Sequence, residues 1–150
     1  MRRTDSRMRS RHPERGTALV ELAIVMPLLL LLSLMVMEGG AMIRTHIVIN
    51  NAAREAARFS SLEENAGNVA GIQQVAVSYA AMNNVTISAA EVTVTQTLTV
   101  PGPNGVLMTA SEVTVQHPYT MLYVPKLPGA QVNAITVLFG RAVFRNFYSI

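Results

Sequence analysis

Arg15-Gly16-Thr17-Ala18-Leu19-Val20-Glu21 opens the stretch that decides the fold, and an apolar run carries it on to Met37. From Ala18 to Met37 the only ionisable side chain is Glu21. About twenty helical residues span ~30 Å, the hydrocarbon thickness of a bilayer, so the run is long enough to cross one. Pro27 lies inside it, and a membrane helix tolerates proline better than a soluble one, here as a mild kink. A carboxylate in hydrocarbon costs a few kcal/mol, so Glu21 either reaches back to the headgroups or has a function.

The flanks orient the run. Residues 1–15 carry six arginines against Asp5 and Glu14, whereas the remainder carries six basic and seven acidic side chains. That bias places the N-terminus in the cytoplasm and everything beyond Met37 outside. The basic arm is read as a lipid-headgroup contact rather than a nucleic-acid contact. Arg2-Arg3 lacks the rest of a twin-arginine signal. An ordinary secretory signal cut near Gly39-Gly40-Ala41 is a further reading, but the apolar run is long for one and contains Glu21.

Beyond the membrane-length run the pattern stays helical to Asn50-Asn51-Ala52-Ala53-Arg54-Glu55-Ala56-Ala57-Arg58. Alanine is the strongest helix former, while Gly39-Gly40 would cost about 1 kcal/mol each and mark a hinge candidate. Unbroken from Thr17 to Phe59, such a helix would be ~65 Å long. A helix of that reach needs a partner surface, and Ile43, Ile47, Ala53 and Ala57 are expected to form its inward stripe. Arg54 and Arg58 share the next face, either solvated or against an acidic partner subunit.

Gly16, four residues, Glu21 and an apolar helix behind a basic leader together resemble the type IV prepilin processing site. The resemblance implies cleavage by a membrane-embedded prepilin peptidase between Gly16 and Thr17, with Glu21 as the fifth mature residue. Its carboxylate would then pair with the free amine of a neighbouring subunit. Glu21-Leu22-Ala23, Pro27-Leu28-Leu29-Leu30, Met37-Glu38-Gly39-Gly40 and Asn51-Ala52-Ala53-Arg54-Glu55-Ala56-Ala57-Arg58 resemble the TadE-like family. Those proteins are minor pseudopilins of the Tad (tight adherence, Flp pilus) machinery. Leu22 stands where they often have an aromatic residue, and this leader is unusually rich in arginine. The resemblance implies contacts with other Tad pilins and pseudopilins, with an inner-membrane assembly platform and with the bilayer. It also implies assembly contacts at Ala53, Arg54, Ala57 and Arg58.

The remaining chain reads as a small domain. Residues 61–68 form a polar loop with Glu63 and Glu64 solvated. Residues 69–82 predict a second helix with Val69, Ile72, Val75, Val77, Tyr79 and Met82 on its apolar side, stopped by Asn83-Asn84. Residues 91–100 alternate, with Val92, Val94, Leu98 and Val100 on one face, threonines on the other, and Gln96 interrupting the apolar side. Pro101-Gly102-Pro103-Asn104-Gly105 is a turn. A strand follows at about 112–117, then a proline-bearing loop over 118–130, then a final strand over 132–145. Val113-Thr114-Val115-Gln116-His117-Pro118-Tyr119 and a last strand near Arg141 and Arg145 give a looser second resemblance to TadE-like proteins.

The architecture expected is α+β and pilin-like. A long N-terminal transmembrane helix packs on a small antiparallel sheet with a second short helix. Its divisions are a cytoplasmic leader at 1–16, the helix at 17–60 and a periplasmic domain at 61–150. No enzyme is expected and no cofactor. His12, His46 and His117 are scattered, the only aspartate is Asp5, and there is no cysteine. With no tryptophan and few aromatic residues, a stacking platform for nucleic acid is not expected. The contrasting reading is an uncleaved, single-pass anchored periplasmic binding module, told apart by whether residues 1–16 survive in the mature chain.

Overall fold

The structure is a computed structural model that describes residues 14–121, 123 and 135–147. Helix α1 runs Glu14–Ser60, α2 Val69–Met82, and three strands follow as β1 Val92–Pro101, β2 Leu107–Thr120 and β3 Ile135–Arg145. Single 3-10 turns sit at Glu63–Asn65, Ala89–Glu91 and Pro103–Gly105. The protein is thus α+β, with a long apolar N-terminal helix, a second short helix and a three-stranded antiparallel sheet ordered β1-β2-β3. It divides into two compact units, Met1–Val36 and Met37–Ile150, so the later half of α1 groups with the sheet.

Within the first unit, α1 passes through Pro27 as helix. Its apolar stretch is nowhere buried. Leu19, Ile24, Leu28 and Val36 are all more than 60% exposed, the surface of a helix that meets lipid or another helix. Residues 1–13, which hold Asp5 and five of the six arginines of the basic arm, lie outside the described residues.

In the second unit the inward face of α1 is made of small residues. Ala52, Ala53, Ala56 and Ala57 have no exposure, and Val48, Ile49 and Ser60 are buried with them. Of the expected stripe, Ala53 and Ala57 face inward but Ile43 and Ile47 do not, being 59% and 52% exposed. On a 3.6-residue period the face that holds Ala52, Ala53, Ala56 and Ala57 continues back through Ile49 and Glu38, which leaves Ile43 and Ile47 on the opposite side. A similar correction applies to α2. Its buried stripe is Ile72, Ala76 and Ala80, at spacings of four, while Val69 and Met82 are exposed. The Asn68 side chain caps its start by accepting from the Gly71 N–H. Asn84 ends it with φ at 59°, a left-handed conformation that asparagine tolerates.

Sheet and helix meet closely at one point. Gly140 of β3 lies so near α1 that a Cβ there would come within 2.8 Å of the Ile49 carbonyl oxygen. Only glycine allows that approach. Val113, Val115, Leu138 and Ala142 surround it and complete the core with Ile72, Ile87 and Val92.

The sheet departs from the expected strands in three places. First, β2 spans Leu107–Thr120 rather than 112–117, because Leu107–Ala110 carries no alternation that would mark it. Second, β1 has an irregularity between Thr95 and Leu98, where one extra residue is accommodated against Glu112 and Ala110. This bulge changes phase. Val94 pairs with Val113 on the core side, but Leu98 pairs with Ala110, three positions from Val113 and so on the opposite face. The single apolar face expected of Val92, Val94, Leu98 and Val100 therefore splits into two. Third, Pro118 lies within central strand β2 rather than in a loop. It is tolerated because β1 reaches only Val115 along β2, so the missing N–H at 118 faces no neighbour. Expected strand residues 132–134, and loop residues 122 and 124–130, lie outside the described residues.

Candidate functional site

Gly16, Thr17 and Glu21 occupy the first turns of α1, all exposed. Nothing lies within 4 Å of the position a Cβ would take on Gly16. The fold itself therefore does not require glycine there. Glu21 is flanked by exposed Leu19, Val20 and Leu22, so its carboxylate stands on an otherwise hydrocarbon surface.

The alanine-arginine signature divides by face. Ala53 and Ala57 are inside the protein's own core, whereas Arg54 and Arg58 are exposed. In the folded chain the alanines set the spacing of helix and sheet, and surface contact falls to the arginines. Neither arginine has an acidic partner among the described residues.

Two polar clusters went unrecognised in the sequence. The first centres on Glu38, only 7% exposed although it lies one residue beyond the apolar run. Its carboxylate accepts from the Tyr119 hydroxyl at 2.9 Å and from the Tyr123 backbone N–H at 2.8 Å. It thereby ties α1 to the far end of β2. Burial, then the hydrogen bond to Glu38 and its negative charge, push the Tyr119 hydroxyl up to about 12. The available signal was that Glu38, like Glu21, is an isolated acid bordering hydrophobic sequence.

The second cluster closes the other end of the helix. Gln96 at the β1 bulge accepts from Gly67 N–H at 2.8 Å and donates to the Ser60 hydroxyl and the Asn65 carbonyl at 3.0 and 3.1 Å. Its backbone carbonyl accepts from Asn146, whose side-chain oxygen takes the Ser111 hydroxyl at 2.6 Å. Among the described residues no buried side-chain polar atom lacks a partner. The residue that interrupted the apolar alternation is thus the centre of a satisfied network, and the interruption was its signal.

The described histidines do not converge. His46 contacts Asn50 one turn on, and His117 meets Glu91 at 2.7 Å. Among the described residues no three metal-binding side chains gather. Glu63 and Glu64 are exposed in their turn, as expected of solvated acids.

Together these features define a class, a protein with one apolar N-terminal helix fit to be a single-pass membrane anchor and a helix-on-sheet α+β unit. Residues 16–58 match the model of the TadE-like protein family, so the segment from Gly16 to Arg58 is TadE-like. That segment points to a protein associated with the Tad pilus and to other pilus components as its partners. No curated protein and no solved structure gives a match.

Proposed function

We propose that this chain is a minor pseudopilin of a Tad pilus, processed by a prepilin peptidase after Gly16 and acting structurally in pilus assembly and surface adhesion. The observation that carries the reading is the TadE-like match beginning at Gly16, together with a lone carboxylate five residues on in an exposed apolar helix. A small residue that packing does not demand is consistent with a requirement imposed by another protein, here the peptidase at the cut. Cleavage would free the Thr17 amine. In an assembly of parallel helices the Glu21 carboxylate of one subunit would pair with the amine of the next. A charge pair removed from lipid fixes register between helices that are otherwise smooth. Before assembly the anchor holds the N-terminus in the cytoplasm and the sheet-bearing unit in the periplasm, following the charge bias of the leader. Its role is mechanical rather than catalytic. Arg54 and Arg58 are the contact residues of the signature, and Ala53 and Ala57 seat the helix that presents them.

The test is the mature N-terminus, read by intact mass and N-terminal sequencing from membranes with and without the peptidase. A chain beginning at Thr17 only when the peptidase is present is the expected result. Gly16→Leu should leave the longer precursor, and Glu21→Ala should insert and be cut but fail to assemble. A chain that keeps residues 1–16 in both membranes would refute processing and leave an anchored binding module. A start near Ala41 would mean ordinary secretion.

A further inference from the structure

Strand β3 ends the sheet, and the hydrogen-bond phase shows what it offers. The Asn146 N–H donates to the Thr109 carbonyl at 2.9 Å, continuing the register in which Ala110 pairs with Arg145. Antiparallel ladders alternate, so Thr136, Leu138, Gly140, Ala142 and Phe144 turn their backbone groups toward β2. Val137, Phe139, Arg141 and Val143 turn theirs to the outer edge, which no strand pairs among the described residues. The side chains of Val137, Phe139 and Val143 are 46%, 55% and 42% exposed on the face away from α1. The register with β2 is unbroken from Ile135 to Arg145, with neither bulge nor proline to blunt it. At the opposite edge, β1 carries a bulge, ends in Pro101 and has its Val92 carbonyl taken by Gln73 of α2.

Beside the C-terminal part of β3 lies a groove lined by Phe59, Leu62, Phe144 and Phe147 together with Glu55, Arg58 and Ser61. Three of the chain's four phenylalanines meet there. Arg58, Arg54 one turn before it and Arg145 have no acidic partner among the described residues; Glu55 is the acid that lines the groove, and exposed Glu63 and Glu64 follow Leu62.

We propose that β3 accepts, by strand addition, an extended acidic segment donated by another subunit of the assembly, an inference that rests on the pseudopilin reading above. Backbone groups of the incoming strand bond to the 137–143 edge. An apolar side chain enters the phenylalanine groove and a carboxylate meets Arg58 or Arg145. A second copy's β3 is a poor occupant wherever the two Gly140 residues would lie opposite each other. Paired edges would bring the two β3 strands within about 4.8 Å. The helix backbone over each Gly140 needs about 8–10 Å from its neighbour. A donor strand with no helix above it avoids that crowding in any register.

Amide hydrogen exchange decides the point, comparing the full chain alone in detergent with the chain in assemblies extracted from cells expressing the whole pilus machinery. The Val137, Phe139, Arg141 and Val143 amides should slow about tenfold or more in the assembly, while β1 is unchanged. Val143→Pro removes only an outward N–H, and should melt like wild type in detergent yet lose that protection. Should the proline variant fail to fold, the wild-type comparison still decides. If the chain is recovered in assemblies and the β3 amides exchange as freely as in detergent, strand addition is overturned and the pseudopilin reading stands. If the chain is never recovered with pilus components, the pseudopilin reading falls and takes this proposal with it.

Discussion

Replacing Gly140 with alanine should destabilise the second unit although alanine is the better strand residue. The added Cβ would lie 2.8 Å from both the Ile49 carbonyl oxygen and the Ile49 Cγ2, and 2.9 Å from the carbonyl carbon. Two of those atoms are helix backbone, so no rotamer change relieves the contact. Either α1 lifts or β3 bends, and lifting α1 opens the layer where Ala52, Ala53, Ala56 and Ala57 are fully buried. Overpacking of this kind costs about 1–3 kcal/mol. Alanine in place of glycine returns at most about 1 kcal/mol through the entropy of the unfolded chain. A net loss of about 1–2 kcal/mol corresponds to a fall in Tm of roughly 4–8 °C for a unit of this size. The assay is thermal unfolding of the full chain in detergent, followed by circular dichroism. Gly39→Ala and Gly40→Ala are the controls, since nothing lies within 4 Å of either Cβ position. Each sits inside α1 and should stabilise it by about 1 kcal/mol. A Gly140→Ala protein that melts with or above wild type would refute the close seating of helix on strand.

Other outcomes follow from the polar clusters. Gln96→Leu leaves the Gly67 N–H without its acceptor and the Ser60 hydroxyl and Asn65 carbonyl without their shared donor, and should cost about 2–4 kcal/mol; a melting temperature within a degree of wild type would contradict the network. Tyr119 gives a pH dependence with a fixed sign. An unfolded tyrosine ionises near 10.0 and the folded one near about 12, so the contribution is whole below 10.0 and is lost as pH rises toward 12. Melting temperature should fall across that window more steeply for wild type than for Tyr119→Phe. Glu38→Gln should lower the tyrosinate titration of Tyr119, read by absorbance difference against Tyr119→Phe, though burial keeps it above 10.0.

What the sequence disclosed depended on periodicity and on isolated charges. The membrane-length run was plain because Glu21 is the sole ionisable group in it, and α2 was plain because asparagines bracket a helical pattern. The inward face of α1 was harder. Ile43 and Ile47 look like core residues by size, yet the buried face runs instead through Val48, Ile49 and four alanines, with β3 closest at Ile49 through Gly140. That closeness is a tertiary fact 91 positions away (140 against 49), and no local window contains it. The same holds for Leu98, whose face is set by a bulge against β2. Gly16 and Glu21, the proposed processing residues, could be singled out because they form a linear motif that needs no tertiary contact. Glu38 was not, because its partners lie 81 and 85 residues further on.

The cluster around Gln96 also dictates when this unit can become itself. Ser60 and Ser111 are 51 residues apart, and Gln96 and Asn146 are 50 apart, yet each pair is in direct contact. A chain threading outward helix first would display the Ala52–Ala57 face for most of its synthesis with no strand to cover it. Such non-local closure is slow, since loop entropy is lost before any contact rewards it. An alanine surface is the mildest apolar surface to leave waiting, because each side chain offers a single methyl to a stray neighbour. The small residues that allow close seating at the end thus also limit the apolar area this face would expose before the strands arrive.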